Sequence, residues 1–155
     1  MITEAILELL RKRAFVSIAT CDKKGAPHAA PKLLLKIRRP FIYLIDYTIA
    51  KTVENLKENP RASLSIMDLD NLEGYRLNGS VELIEHGEEH RAIFKELDKR
   101  LIELSAKRLI EGVRSGKKSA HFELEIPEKF VVIKIEMEES VKIGPRGDFW
   151  KEKGQ

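Results

Sequence analysis

Apolar positions along the chain follow two periods. At the N-terminus Ile2, Ile6, Leu9 and Leu10 fall on one face of a 3.6-residue helix with Glu4 and Glu8 between them, which predicts a short amphipathic helix. The β-branched and aromatic run from Ala14 to Thr20 predicts a strand, and Gly25 and Pro27 punctuate the turn after it. The stretch HAAPKLLLKIRRPFIYLID predicts a strand through Leu35, a turn at Arg38 to Pro40, and a second strand through Asp46. In RASLSIMD, Ala62, Leu64 and Ile66 alternate with Ser63 and Ser65, the mark of a half-buried strand, and YRLNGSVELIEH predicts another with a bulge or bend at Gly79. From Glu88 to Gly112 the period returns to that of a helix, with Ile93, Leu97, Leu101 and Leu104 on one side. A loop, VRSGKKSAH, precedes two closing strands, HFELEI and FVVIKIEMEES, and the tail KIGPRGDFWKEKGQ is expected to be irregular.

Between the early strands lies AKTVENLKENP, a short predicted helix over Thr52 to Glu58 with Val53 and Leu56 facing a core. Pro60 ends it, because the residue before a proline is pushed out of the helical region. Strands outnumber helices, short turns join them, and they cluster before and after one long helix. This predicts a mainly β fold with some α: an antiparallel barrel with a short N-terminal helix and one long helix packed outside, in a single domain over residues 1–155.

Composition narrows the function classes. Charged residues make up 34% of the chain but leave a net charge of only +3, so no one-signed field favours nucleic acid. Phe15, Phe41, Phe122 and Phe130 sit in apolar runs and are expected in the core rather than on a base-stacking face. Cys21 is the single cysteine, which excludes an internal disulfide framework and a thiolate metal cluster and fits a reducing cytoplasm. No run approaches the roughly 20 apolar residues of a membrane span. His86 and His90 are four apart, but Gly87 interrupts the helix start and no third ligand is near, so no metal site is expected. Asp68 and Asp70 read as turn residues. Neither a Ser-His-Asp order nor a Walker-type loop is present, and hydrolase chemistry has no support.

The side chains with chemical promise begin at Lys51 and Thr52. They place an ammonium and a hydroxyl at a helix start, where unpaired backbone N–H groups and the helix dipole both favour an anion. The same two residues also suit a helix cap beside a solvated lysine.

The stretch from Phe15 to Asp68, and more loosely on to Glu85, resembles the first half of the flavin-binding split-barrel proteins related to pyridoxamine 5'-phosphate oxidase. The likeness rests on a strand, a Gly-x-Pro turn (Gly25 to Pro27), two further strands, a basic or hydroxyl pair, and then NLxxNPxxSL, here Asn55 to Leu64. Phe130 to Glu136 agrees more weakly. The resemblance implies a homodimer with FMN in clefts at the subunit interface. It places the phosphate-binding pair on Lys51 and Thr52, backbone contacts to the ring and ribityl chain on Lys32, Leu33 and Leu34, and a further phosphate-facing lysine on Lys36. Ile45 and Asp46 close the adjoining strand, where Asp46 accepts from the ribityl hydroxyls or the ring N–H or else starts a turn.

By period two, Lys32 and Lys36 share a strand face. Asn55 is expected to tie the short helix to a neighbouring strand, and His28 to lie near a substrate. The oxidase grips its pyridoxal substrate with paired arginines and a tryptophan, whereas Arg146 and Trp150 here have a different spacing, so that substrate is not implied. The expected function is an FMN-dependent oxidoreductase acting on an unknown small substrate or electron donor, with no catalytic side chain assigned, since the cofactor carries the redox chemistry. The alternatives are a flavin carrier or sensor without turnover, a deazaflavin-dependent reductase, and a barrel that has lost its cofactor.

Overall fold

The structure of the protein, a computed structural model, describes residues 2–116 and 128–153. It divides into two compact units, Met1–Glu85 with Phe130–Gln155, and His86–Lys129. The predicted strand HFELEI, with His121 and Phe122, lies outside the described residues.

The first unit begins with helix α1, Glu4–Arg11, capped by the Thr3 hydroxyl, which accepts from the Ile6 N–H. Six antiparallel strands follow: β1 (Phe15–Cys21), β2 (Pro27–Arg38), β3 (Phe41–Asp46), β4 (Arg61–Asp68), β5 (Glu73–Ile84) and β6 (Val131–Ile143), with helix α2 (Lys51–Glu58) between β3 and β4. They hydrogen-bond in the order β3-β2-β1-β4-β5-β6, and pairing of β3 with β6, from Phe41 opposite Glu136 to Asp46 opposite Val131, closes the barrel. Closure leaves none of the six with a bare edge along its whole length. Alternate residues point inward: Val16 and Ile18, Leu34, Ile42 and Leu44, Leu64 and Ile66, Leu77, Ile133 and Ile135 form one core cluster. Ile6, Leu7 and Leu10 of α1 and Leu56 of α2 join it. Each such side chain contributes about 1.5–3 kcal/mol through burial.

Four expectations change in this unit. Leu7 takes the buried position on α1 in place of Leu9, which is only partly buried. The tail contains strand β7, Phe149–Lys153, paired with β6 through a turn in which the Gly144 N–H reaches the Asp148 carbonyl at 2.7 Å. All five of its residues are exposed, Phe149 and Trp150 included, so no alternating burial pattern marks it. Phe15 is 58% exposed, because β1 buries Val16 and Ile18 and so turns Phe15 outward; Phe130 is buried as expected.

The fourth change concerns β2. Its register with β3 runs Leu33–Ile45 and Leu34–Leu44, then jumps to Lys36–Tyr43, so that Leu35 is an extra, bulged residue. A bulge inverts the alternation beyond it. Lys32 and Lys36 therefore face opposite sides of the sheet. Gly79 sits at a second register shift, between β5 and β6, as the sequence indicated. A Cβ there would collide with the Glu136 carbonyl oxygen, so close backbone approach accounts for this glycine.

The second unit contains helix α3, Glu88–Ser115, three residues longer than the periodicity alone suggested. Gly87 at φ 95° and Gly116 at φ 64° bound it, both backbone conformations that suit glycine. Ile93, Leu97 and Leu101 are its buried residues, while Ile102, Leu109, Ile110 and Val113 are exposed. No helix among the described residues is long and apolar enough to cross a membrane.

Candidate functional site

The segment from Asp46 to Asn55 concentrates unsatisfied polarity. Among the described residues, every buried side-chain oxygen without a hydrogen-bond partner belongs to it: Asp46 Oδ2, Tyr47 Oη, Thr52 Oγ1 and Asn55 Oδ1. Native interiors leave few such atoms unpaired, and a cluster of them marks a place shaped for something other than packing.

Helix α2 supplies the anchor. Its first intrahelical bond runs from the Glu54 N–H to the Ala50 carbonyl at 3.0 Å, so the amides of Lys51, Thr52 and Val53 precede it and have no intrahelical acceptor. Ala50 stands at the N-cap and offers no side-chain bond. Lys51, half-exposed, lies 3.9 Å from Glu54, a loose solvent-screened contact that leaves its ammonium available. Thr52 is buried, with its hydroxyl unpartnered. An ammonium, a hydroxyl and three open amides thus meet in one helical turn.

Asn55 and Asn59 fix this helix on the barrel. The Asn55 amide donates to Thr20 Oγ1 at 3.2 Å, and Asn59 donates to the Cys21 sulfur at 3.1 Å, so both residues hold α2 against β1. Thr20 is the cross-strand partner of His28, which is half-buried; β1 thereby connects the expected substrate-side histidine to α2.

Lys32 and Asp46 meet each other. Both are buried, and the Lys32 ammonium lies 2.9 Å from Asp46 Oδ2. Beyond this ion pair, Oδ2 has no hydrogen-bond partner among the described residues. Oδ1 accepts from the Thr48 N–H at 2.9 Å, the Thr48 hydroxyl at 2.7 Å and the Ile49 N–H at 3.2 Å. Burial pushes the Asp46 carboxyl up, but Lys32 and Thr48 outweigh it and hold the group below the usual carboxylate range. Burial alone raises the Tyr47 phenol.

Of the other strand residues, Leu34 lies in the barrel core. Leu33 and Ile45 are buried cross-strand partners that stand outside that cluster. Lys36 sits on the face of Tyr43, its ammonium 4.8 Å from the ring centroid. Thr48, Ile49, Thr20 and Asn59 were not singled out from the sequence. Of these, the Asp46-x-Thr48 spacing, a side chain bonding backbone two residues on, was the readable signal.

A flavin phosphate suits the start of α2: a dianion needs N–H donors, a hydroxyl and a cation, and all are there. The sequence profile of pyridoxamine 5'-phosphate oxidase matches residues 2–142. The chain belongs to that family. It is 29% identical over 103 residues to an uncharacterised protein of Methanocaldococcus jannaschii, covering 64% of this chain and 67% of that one. Two solved structures share the fold of this chain. HupZ of Group A Streptococcus is 21% identical with a TM-score of 0.68, over 94% of this chain and 96% of the other. A pyridoxamine 5'-phosphate oxidase-related, FMN-binding protein of Nostoc punctiforme is 14% identical with a TM-score of 0.59, over 99% and 96%. The same fold is found in an F420 reductase, at TM-score 0.55, and in a heme-binding protein of Mycobacterium smegmatis, at TM-score 0.61. At these identities the likeness is one of fold, and fold does not fix the ligand or the reaction.

Proposed function

We propose that the protein is an FMN-binding flavoprotein, an oxidoreductase of the pyridoxamine 5'-phosphate oxidase-like group acting on a small substrate or electron donor. The observation that carries this reading is the start of α2, where the Lys51 ammonium, the unpartnered Thr52 hydroxyl and three open amides match a phosphate monoester. FMN would supply hydride or electron transfer. The chain's own residues would bind and orient it: Lys51 and Thr52 at the phosphate, the β2 backbone at Leu33 and Leu34 and the end of β3 at Ile45 along the ring, and Lys36 on the Tyr43 side of the sheet. His28 is the side chain assigned to the substrate side.

A homodimer belongs to the same reading. Met67, Gly74, Ile143 and Phe149 are successive cross-strand partners over β4, β5, β6 and β7, and Met67, Ile143 and Phe149 are exposed together with Phe15. Beside them the outward residues of β1 and β4 are small, Ser17, Ala19, Ser63 and Ser65, so a second barrel could approach closely. An apolar row with small residues behind it favours a protein partner over solvent.

The test is a visible spectrum of the purified protein after incubation with FMN or with the deazaflavin F420 and desalting, combined with its mass in solution. Retained flavin absorbance and a dimer mass are expected. Retention of F420 alone would replace FMN with a deazaflavin, and retention of neither would end the flavoprotein reading.

A further inference from the structure

Asp46 is held from within the protein. It is fully buried, its partner Lys32 is 6% exposed, and the two ends meet at 2.9 Å at the rim of an otherwise apolar barrel. Two well-packed aliphatic residues would serve stability there as well or better, because desolvating both charges offsets much of their attraction. The pair's bonds show what it does instead. Asp46 Oδ1 gathers the Thr48 N–H, the Thr48 hydroxyl and the Ile49 N–H, and Lys32 also reaches Thr48 Oγ1 at 3.3 Å. Every one of these bonds lands on the turn that feeds α2.

That turn is strained. Ile49, a β-branched residue, has φ 46°, a left-handed conformation that side chains of this shape avoid. Ala50 follows at the N-cap with φ −119° and ψ −134° and with no side chain able to cap the helix. Left to itself, such a sequence would relax and the first turn of α2 would fray. Asp46 holds the turn just ahead of the helix instead, accepting from the Thr48 and Ile49 amides and leaving the first amides of α2 open.

We infer that Asp46, locked by Lys32, is a positioning residue. The pair is a latch that fixes the turn from Tyr47 to Ala50 and so presents the open amides of Lys51, Thr52 and Val53. Its functional meaning rests on the flavin reading above, but its mechanical content does not. It also reassigns two candidates: Lys32 and Asp46 act on each other and on the turn, and the phosphate is left to Lys51 and Thr52.

The test combines amide hydrogen exchange over residues 48–53 in the ligand-free protein with FMN titration, for wild type, Asp46→Ala, and the double variant Lys32→Met/Asp46→Asn. The asparagine keeps an acceptor for Thr48 and Ile49, and the methionine removes the ammonium that would otherwise be stranded. Asp46→Ala is expected to speed exchange at Thr48 and Ile49 at least tenfold, leave the β4 and β5 amides unchanged, and weaken FMN binding about tenfold or more. The double variant is expected to recover both quantities to within about threefold of wild type. If Asp46→Ala proves unable to fold, Thr48→Val, which deletes the two bonds of the Thr48 hydroxyl and leaves the Lys32–Asp46 pair in place, should show the same faster exchange at Ile49. Unchanged exchange in Asp46→Ala or in Thr48→Val would overturn the latch. So would a double variant that recovers exchange but not FMN affinity, since the pair would then touch the ligand. A wild type that binds no FMN but shows the exchange pattern would keep the latch and sink the flavin reading.

Discussion

Replacing Thr52 by valine separates ligand binding from packing at a single atom. Valine has the shape of threonine with a methyl group where the hydroxyl stood, and the two residues have similar helix propensity. The Thr52 oxygen is enclosed and has no partner among the described residues. Leaving a buried hydroxyl unpaired costs about 1–3 kcal/mol, so removing it should stabilise the ligand-free protein. A gain of about 1 kcal/mol raises the melting temperature of a domain this size by roughly 2–4 °C. With FMN the sign reverses. A hydrogen bond to a charged acceptor contributes about 1.5–3 kcal/mol, and its loss weakens binding roughly ten- to hundredfold. Thermal melts with and without saturating FMN, together with a fluorescence titration of the flavin, read both effects. Thr52→Ser should keep the affinity within a few-fold while losing the buried methyl. A Thr52→Val protein that melts lower than wild type and binds FMN equally well would refute the reasoning, because the hydroxyl would then be satisfied within the protein.

Other outcomes follow from the same structure. Lys51→Ala should weaken FMN binding by about tenfold at low salt and by less as ionic strength rises, since the half-exposed ammonium acts through a screened field; titrations at two salt concentrations check it. Gly79→Ala should cost about 1–3 kcal/mol, because the new methyl meets the Glu136 carbonyl and one strand must shift, and denaturant unfolding measures the loss. The Asp46 carboxyl lies below its ordinary value of 3.8, as Lys32 and Thr48 outweigh the burial that opposes them. Its stabilising contribution is therefore complete above about pH 4 and is lost as pH falls through the lower folded value. Melting temperature between pH 2 and 6 should drop more steeply for wild type than for Lys32→Met/Asp46→Asn, and parallel curves would contradict this assignment.

Much of the barrel was legible because its strands alternate. The buried Ala62, Leu64 and Ile66 and the shift at Gly79 lie where periodicity and turn chemistry placed them, and α2 begins at Lys51, one residue before the predicted Thr52. Features that break a period were not. The bulge at Leu35 lies within three consecutive leucines, where no polar residue marks the change of face, and it reverses the expected relation of Lys32 to Lys36. Strand β7 is exposed along its whole length, its two aromatics included, and owes its existence to pairing with β6, a long-range fact with no alternating burial pattern to mark it. Lys51 and Thr52 could be placed at a helix start from the sequence, but spacing alone suited a cap beside a solvated lysine equally, and only the family resemblance pointed to an anion anchor. The ion pair of Lys32 and Asp46 could not be picked out, since two residues fourteen apart become neighbours only once β2 and β3 have paired.

The most direct measurement is the affinity of the protein for FMN and for riboflavin, which share a ring and differ in the phosphate, in wild type and in a Lys51→Ala/Thr52→Val variant. If the start of α2 holds the phosphate, wild type will bind FMN at least tenfold more tightly than riboflavin, and the variant will bind the two alike. Equal affinities in wild type, or a preference for FMN that survives in the variant, would contradict a phosphate site at Lys51 and Thr52.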